Sequence, residues 1–251
     1  MQKLETFYHS VGFNIVKLDS ILRNGLMSLD KAKKENISYA RNYEGYNLND
    51  TISLVREIYA NIDTDGAYKK YISKGITISM NLPLDMIIFD ISERIINHTD
   101  EVLGKDYIPK EYFTSLIIPE EYTECSIEEL PILTLNSTSY RNIKDTSDNI
   151  VKYVENVLHK EIDKEEYYAL INELKYTMIA LKEDINDEGL NADFMEIKRE
   201  LNCFLTSQIN IAFSKYINKE NITIYDIVEY INHNTLNLPI IIKNYKRGKI
   251  R

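Results

Sequence analysis

The sequence predicts an α+β protein in which a mixed half, residues 1–145, is followed by a mostly helical region, residues 146–251. Its 251 residues are 44% hydrophobic and 27% charged and include 19 Tyr, a composition typical of globular proteins. The length fits one or two domains. Before residue 146, short β-like runs alternate with turns, whereas later stretches follow a helical period with almost no Gly or Pro. The helical region is therefore either a small separate domain or a cap packed on the first.

The chain begins with a predicted strand over residues 5–11, an apolar and aromatic run. A helix is predicted over residues 18–25, because its apolar side chains share one face and Gly25 stands where a helix C-cap favours positive φ. Residues 28–49 are polar, include Tyr39, Tyr43 and Tyr46, and predict a loop with room for one helical turn.

Further strands are predicted along the rest of the first half. Residues 50–59 predict a strand that runs on toward a helix, and residues 76–83 alternate with the period of two that strands show. Residues 85–92 fit either a strand or a helix. Residues 100–107 and 112–119 predict a hairpin-like pair, and its second member is the clearest strand of the sequence.

The second half is predicted to consist of four helices. Apolar residues spaced three and four apart predict helices over residues 148–159, 164–186 and 193–217. Thr223 is the predicted N-cap of the last helix. The apolar stripes of these helices are interpreted as core faces rather than as cofactor-binding surfaces.

Charge and cysteine content narrow the class of protein. The formal charge of −9 argues against the backbone of a nucleic acid as the main partner. The nine residues 243–251 carry five basic side chains and no acid, and a solvated tail is favoured over a phosphate-binding one. Two cysteines cannot build a disulfide framework or a four-ligand zinc site. With no signal-peptide pattern and no apolar run of membrane-spanning length, the sequence predicts a cytoplasmic protein without a membrane partner.

Strong catalytic motifs are absent from the sequence. It contains no phosphate-binding GxxxxGK[ST] loop, GxGxxG, HExxH, GxSxG or paired CxxC. The four histidines are too scattered to indicate a metal cluster, and His159 and His233 are predicted to lie at the surface. Paired acids such as Glu120 with Glu121 are interpreted as solvated faces. His9 is different, because it lies inside the first apolar strand.

Three segments of the first half combine strand-like runs with polar residues: FYHSVGFNIVKLDSILRNGLMS, DTISLVR and HTDEVLGKDYIPKEYFTSLIIP. The first is a His-containing strand followed by a helix that reads L-x-x-I-L-x-x-G-L, and the third places an acid before IPxEYFxxxxIP. Together they resemble ADP-ribosyltransferase-like domains of the His-containing branch, which includes PARP-type enzymes, diphtheria-type toxins and RNA 2′-phosphotransferases. The resemblance covers about residues 4–135, half of the chain.

The resemblance implies a set of site residues for NAD as substrate. Glu101 matches the catalytic carboxylate, and His9 matches the residue that hydrogen-bonds a ribose hydroxyl of NAD. Ser10, Tyr46 and Ser53 are the further expected residues of the NAD pocket. Arg56, three residues beyond Ser53, is a candidate contact of the pyrophosphate, although a solvated side chain is favoured there.

Position 53 departs from the better-known form of the family, which has Tyr there. The ring that stacks on nicotinamide would then come from the preceding loop, from Tyr39, Tyr43 or Tyr46.

The chemistry explains why such residues would occur together. Cleavage of the nicotinamide–ribose bond generates an oxocarbenium-like cation, as glycoside hydrolysis does. A carboxylate near the ribose stabilises that developing charge, and a His on a strand fixes the dinucleotide. His9 and Glu101 are 92 positions apart, so only a fold that brings the first strand next to a late one can use both.

The leading hypothesis is therefore an NAD-dependent mono-ADP-ribosyltransferase-like enzyme that modifies a macromolecular acceptor, protein or nucleic acid. Toxin, defence and counter-defence roles fit this enzyme type. The alternative is a non-catalytic interaction protein, in which His9 and Glu101 are ordinary sheet residues and the helical region binds a partner. A lesser alternative is an NAD-dependent RNA 2′-phosphotransferase, which needs several basic residues converging on a phosphate.

Overall fold

The structure, a computed structural model, describes residues 3–35, 37, 49–57, 71–88, 101–127, 139–183 and 188–245. The chain forms two compact units. The first combines Met1–Cys125 with Thr223–Arg251, and the second is Ser126–Ile222.

A mostly antiparallel sheet forms the first unit. The described strands are β1 (Leu4–Gly12), β2 (Leu26–Met27), β3 (Ile52–Arg56), β4 (Ile76–Pro83), β5 (Ile87–Ile88), β6 (Glu101–Gly104), β7 (Tyr107–Ile108), β8 (Phe113–Pro119) and β9 (Ile240–Lys243). Seven of them form one sheet in the order β5-β6-β3-β1-β4-β8-β9, in which only β8 and β9 run parallel. β2 and β7 form a separate antiparallel pair.

The apolar pattern of the central strands explains the core. β1, β4 and β8 bury Phe7, Ile78, Met80, Leu116 and Ile118 almost completely. Burying one such side chain contributes about 1.5–3 kcal/mol. These strands therefore form the rigid centre of the sheet that positions the polar residues described below.

The helices of the first unit begin and end at recognisable capping residues. Those within the described residues are α1 (Ile15–Asn24), α2 (Leu29–Lys34) and α6 (Ile224–His233). Asn14 caps α1 by accepting a hydrogen bond from the amide of Lys17, and Gly25 ends the helix with φ of 85°. Thr223 and Asp226 form a capping box at the start of α6. α1 contacts both β1 and α6.

The second unit contains the helices α3 (Tyr140–Val157), α4 (Lys164–Glu183) and α5 (Glu188–Ile217). The Tyr167 hydroxyl of α4 donates to the Asp148 carboxylate of α3, and the burial of that ring raises the pKa of Tyr167. The Tyr216 hydroxyl of α5 donates to the Leu158 carbonyl at 2.7 Å. Polar contacts therefore link all three helices around their apolar faces.

The structure confirms the α+β class and most of the predicted elements. The strands expected over residues 5–11, 76–83 and 112–118 form β1, β4 and β8, and the four C-terminal helices are present. α1 ends before Gly25 and Thr223 caps α6, both as predicted.

Two features of the first unit differ from the prediction. Residues 100–107 and 112–119 do not form a hairpin, because β6 pairs with β3 and β5 whereas β8 pairs with β4. The chain also does not remain helical to its end, since Ile240–Lys243 adds the strand β9 beside β8. That parallel pairing returns Thr223–Arg251 to the first unit, so the division of the chain differs from the expected one near residue 145.

Gly25 is expected to tolerate Ala less well than Gly12 does. Both have positive φ, which costs an Ala about 1–2 kcal/mol. A Cβ on Gly12 meets no atom within 4 Å, whereas on Gly25 it would lie 2.7 Å from the Tyr107 ring and 2.8 Å from the Ile108 carbonyl oxygen. Urea unfolding should show Gly25→Ala to be less stable than Gly12→Ala by about 1 kcal/mol or more. Equal losses would mean that β7 does not approach the end of α1 this closely.

Candidate functional site

The candidate site lies where β3 is held between β1 and β6. β3 pairs with β6 over four residues, with Ser53 opposite Leu103 and Val55 opposite Glu101. Its ladder with β1 is shorter and covers Phe7 with Arg56 and Tyr8 with Val55. Beyond Tyr8 and Val55 this ladder stops, and the two strands no longer pair through their main chains.

His9 reaches β3 where this ladder stops. Its Nδ1 lies 2.9 Å from the carbonyl oxygen of Ser53. A carbonyl oxygen only accepts hydrogen bonds, so Nδ1 carries the proton and donates it. The side chain of His9 thus extends the connection between β1 and β3 by one hydrogen bond.

Ser53 also connects β3 to β6 through its side chain. Its hydroxyl donates to Oε1 of Glu101. Glu101 is buried, with 9% of the residue exposed, and Ser53 is half-buried. A hydrogen bond to a carboxylate is charge-assisted and therefore stronger than one between two neutral groups.

The strand pairing fixes which face of the sheet each side chain occupies. Tyr8, Val55 and Glu101 are directly opposite one another on three strands and so share a face. Ser53, two residues from Val55, shares that face as well. His9 follows Tyr8 and starts from the other face, so it meets Ser53 at the backbone. The Ser53–Glu101 pair and the imidazole therefore start from opposite faces of the sheet, where the β1–β3 ladder ends.

The His9 ring is held neutral by its surroundings. Burial and, to a smaller extent, the Lys17 ammonium lower its pKa to about 3, although the Ser53 carbonyl acts in the opposite direction. With the proton on Nδ1, Nε2 of the neutral ring is a hydrogen-bond acceptor. Nε2 is buried and has no hydrogen-bond partner within the described part of the chain. A ligand that satisfies it must bring a donor, such as a hydroxyl group.

Ser10, one of the predicted pocket residues, lies at the end of β1 and is tied to the neighbouring backbone. Its hydroxyl donates to the Tyr71 carbonyl at 3.0 Å and accepts from the Gly12 amide at 3.2 Å. Ser10 therefore shapes the turn after β1, where a bulge interrupts the pairing with β4.

Arg56 is not part of the hydrogen-bonded group. The Arg56 Nε donates to Oε2 of Glu5 at 2.8 Å, across the other end of the β1–β3 ladder. That contact lowers the pKa of the Glu5 carboxyl. Tyr46, like Tyr39 and Tyr43, lies outside the described residues. The structure thus joins His9, Ser53 and Glu101, while it pairs Arg56 with Glu5.

Two polar groups of the first unit were not singled out from the sequence. Asp19 of α1 is buried, and both of its carboxylate oxygens accept from Arg23 Nε at 3.0–3.1 Å. Burial raises the pKa of Asp19, and the Arg23 guanidinium counteracts this. The Tyr8 hydroxyl donates to Glu57 at 3.0 Å. The four-residue spacing of Asp19 and Arg23 on a helix was the available signal for the first pair.

The remaining sequence-based expectations concern metals and membranes. No group of three or more His, Cys, Asp or Glu side chains among the described residues converges to hold a metal ion. His159 and His233 are exposed, as predicted. Within the described ranges, no helix combines the length and the apolar content that crossing a bilayer requires.

Comparison with known proteins gives no family assignment. No family model matches the chain, and no curated protein matches it significantly. The functional argument therefore depends on the residues and their arrangement.

His9 is expected to remain neutral, with its proton on Nδ1, from pH 7 down to about pH 5, because burial lowers its pKa from 6.5 to about 3. Nitrogen-15 NMR of the imidazole checks both the protonation state and the tautomer. Unfolded His binds a proton as the pH falls through 6.5, whereas folded His9 does so only near 3. This group therefore makes the free energy of unfolding decrease as the pH falls between those values.

His9→Gln should remove that component, so the wild type should lose stability more steeply than the variant below about pH 6.5. An imidazole that titrates near its ordinary pKa, or identical pH profiles for the two proteins, would contradict the buried neutral state.

Ser53→Ala is expected to lower the free energy of unfolding by about 1–3 kcal/mol, because it leaves a buried carboxylate oxygen without its hydroxyl donor. Ser53→Thr keeps a hydroxyl and suits a strand, so it should stay close to the wild type. Urea unfolding of the three proteins measures both effects. Equal losses for Ala and Thr would show that side-chain shape, rather than the bond to Glu101, is what position 53 requires.

Proposed function

We propose that the protein is an NAD-dependent mono-ADP-ribosyltransferase-like enzyme that modifies a macromolecular acceptor. The observation that carries the proposal is the hydrogen-bonded connection of His9, Ser53 and Glu101 across three neighbouring strands. His9 and Glu101 are far apart in sequence, yet each is one hydrogen bond away from the same residue. Each reaches Ser53 from its own face of the sheet, so a ribose that contacts both must lie where the β1–β3 ladder ends.

Glu101 supplies the electrostatic part of the mechanism. The bond between nicotinamide nitrogen and the ribose anomeric carbon breaks, and nicotinamide leaves with the bonding electron pair. The positive charge that develops on the ribose is stabilised by a carboxylate held next to it. A nucleophilic oxygen or nitrogen of the acceptor then bonds to the anomeric carbon and loses its proton. The acceptor thereby gains the ADP-ribosyl group.

Ser53 acts as a positioning residue in this proposal. Its hydroxyl donates to one carboxylate oxygen of Glu101. Because the carboxylate is planar, this contact also orients the second oxygen. Its carbonyl bonds to His9, so the orientation of the carboxylate and that of the imidazole are set by the same strand. A site that is preorganised in this way does not have to rearrange as charge develops.

His9 would bind the dinucleotide through its buried Nε2. That atom is an acceptor, so it suits a sugar hydroxyl, which donates, and does not suit a phosphate oxygen. A neutral imidazole also adds no positive charge beside a developing ribose cation. The burial that lowers its pKa therefore favours the proposed chemistry.

The arginines make an RNA 2′-phosphotransferase a weaker proposal. Each arginine of the first half that the structure describes faces an acid: Arg23 pairs with Asp19, Arg56 with Glu5 and Arg141 with Asp145. An RNA phosphate would have to compete with these carboxylates. Protein modification does not require such a cluster.

Glu101→Gln is expected to reduce the release of nicotinamide from NAD by about 100-fold or more, because it removes the carboxylate charge from the site. Glu101→Ala should reduce it at least as far. Release is followed with NAD labelled in the nicotinamide ring, in the presence of a protein extract as acceptor source. Circular dichroism and urea unfolding establish that both variants are folded.

Glu111→Gln is the matched control, because this glutamate of the first unit is exposed and should leave the rate unchanged. Wild-type protein that neither releases nicotinamide nor binds NAD by calorimetry would contradict the proposal. So would equal activity of the wild type and Glu101→Ala.

A further inference from the structure

The strand β9 forms one edge of the seven-stranded sheet. Among the described strands it pairs with β8 alone, as the last member of the strand order. Its side chains at Ile241 and Ile242 are 47% and 52% exposed. Successive side chains of a strand point to opposite faces, so β9 is open on both faces of the sheet. An apolar edge of this kind is a ready template for another strand.

The ladder with β8 shows which main-chain groups of β9 point outward. The Leu116 amide donates to the Pro239 carbonyl at 2.9 Å, and the register places Leu116 opposite Ile240. In such a parallel ladder the next residue to bond to β8 is Ile241, while Ile240 and Ile242 turn their amides and carbonyls to the outer side. No described residue bonds to these outward groups of Ile240 and Ile242.

The outer side of β9 is closed at both ends. Before the strand, the Asn232 side chain of α6 donates to the Leu238 carbonyl at 2.7 Å and accepts from the Leu238 amide at 2.9 Å. Its amide group thus occupies the place of a neighbouring strand. After β9, the Asn244 side chain donates to Glu120 and Tyr245 packs on an apolar cluster of the sheet. The chain therefore turns back toward β8.

The short length of the remaining opening decides among possible occupants. We call this opening, Ile240–Ile242, the β9 window. A long extended segment of a partner protein would run past the window and meet the Asn232 side chain at Leu238. A second copy of the chain carries an opening of the same length. When two windows meet antiparallel, the blocked end at Leu238 of each copy lies beside the turn at Asn244 of the other.

The hydrogen bonds of the β9 window are self-complementary in one register. With Ile241 opposite Ile241 of the second copy, each Ile240 lies opposite an Ile242. These outward-pointing residues then form two hydrogen-bonded pairs, so four bonds use every outward amide and carbonyl of both windows. Pro239, which has no amide hydrogen, falls opposite Lys243 at a position without main-chain bonds, so it removes none.

Charge does not oppose this pairing. In the same register, the two Lys243 residues lie at opposite ends of the interface, about 14 Å apart, and each is opposite an uncharged proline. The unit that contains β9 has 21 acidic and 19 basic residues, a formal charge of −2, whereas Ser126–Ile222 carries −7. The pairing edge thus belongs to the nearly neutral unit.

We propose that the β9 window is a dimerisation surface, through which two copies of the chain join their sheets edge to edge and antiparallel. Each copy uses its window once about a twofold axis, so the assembly closes as a dimer instead of growing into a fibre. The interface is small, which places the dimer among weak, concentration-dependent associations. The proposal does not depend on NAD chemistry, because β4 and β8 lie between β9 and the strand that carries His9.

The test is sedimentation velocity of the full chain over concentrations from about 1 µM to about 1 mM, which should show a reversible monomer–dimer equilibrium. Ile242→Pro removes an outward amide and none that bonds to β8, so β9 should form while association weakens about tenfold or more. Ile241→Lys should weaken association as strongly, because it places like charges directly opposite each other. Circular dichroism verifies that the variants are folded.

Leu4→Lys is the matched control. It makes the same charge change at an apolar side chain of the first unit that is 53% exposed and lies away from β9. Its dissociation constant should stay within about twofold of the wild type.

Cysteine cross-linking tests the register in a background of Cys125→Ser with Cys203→Ser. Ile241→Cys should form an intermolecular disulfide on mild oxidation, because Cα atoms in a pair without main-chain bonds are about 4.5 Å apart. Ile242→Cys should not, since the two equivalent positions are offset by two residues and lie more than about 7 Å apart.

Several outcomes would overturn the proposal. One is a protein that sediments as a monomer at every concentration, and another is a dimer that Ile242→Pro and Ile241→Lys leave unchanged. Equal cross-linking by Ile241→Cys and Ile242→Cys, or an equal loss of association in Leu4→Lys, would also contradict it. A dimer that appears only after deletion of residues 246–251 would assign the window to that tail.

Discussion

The two hydrogen bonds of Ser53 hold the residues of the proposed site together. Its carbonyl accepts from His9 of β1 and its hydroxyl donates to Glu101 of β6, so one residue of β3 connects both neighbouring strands through side chains. These contacts are possible because the β1–β3 ladder ends at Tyr8 and Val55. Continued main-chain pairing would occupy the Ser53 carbonyl and leave no room for the imidazole.

The same arrangement places groups in the sheet that an ordinary core would avoid. A buried carboxylate and a buried imidazole nitrogen both cost free energy unless they are hydrogen-bonded. The Ser53 hydroxyl satisfies one oxygen of Glu101, and burial keeps His9 neutral, which limits that cost. Polar groups retained under such conditions are typical of functional sites. The apolar strands β4, which neighbours β1, and β8, which neighbours β4, supply the support that these groups require.

Much of the fold could be predicted from the sequence, because its main signals are local. The alternation in β4, the apolar run of β8, the C-capping Gly25 and the N-capping Thr223 each lie within a few residues of the element they define. The pairing of strands is not local. Nothing within residues 240–243 indicates that they lie parallel to β8, and the short separation of β6 from β8 suggested a hairpin that the strand order excludes.

For the candidate site, too, some features could be predicted from the sequence and others depend on strand pairing. His9, Ser53 and Glu101 could be chosen because their segments resemble a known superfamily, and the structure brings these three together. The ion pair of Arg56 with Glu5 depends on the register of β1 against β3, which the sequence does not display.

The most direct test of the account is a crystal structure of the protein with NAD bound. The account predicts the dinucleotide where the β1–β3 ladder ends, with a ribose hydroxyl donating to Nε2 of His9 and the nicotinamide ribose beside the carboxylate of Glu101. Ser53 should keep its bonds to both residues. NAD bound elsewhere, or a complex in which His9 and Glu101 contact no part of it, would contradict the central claim.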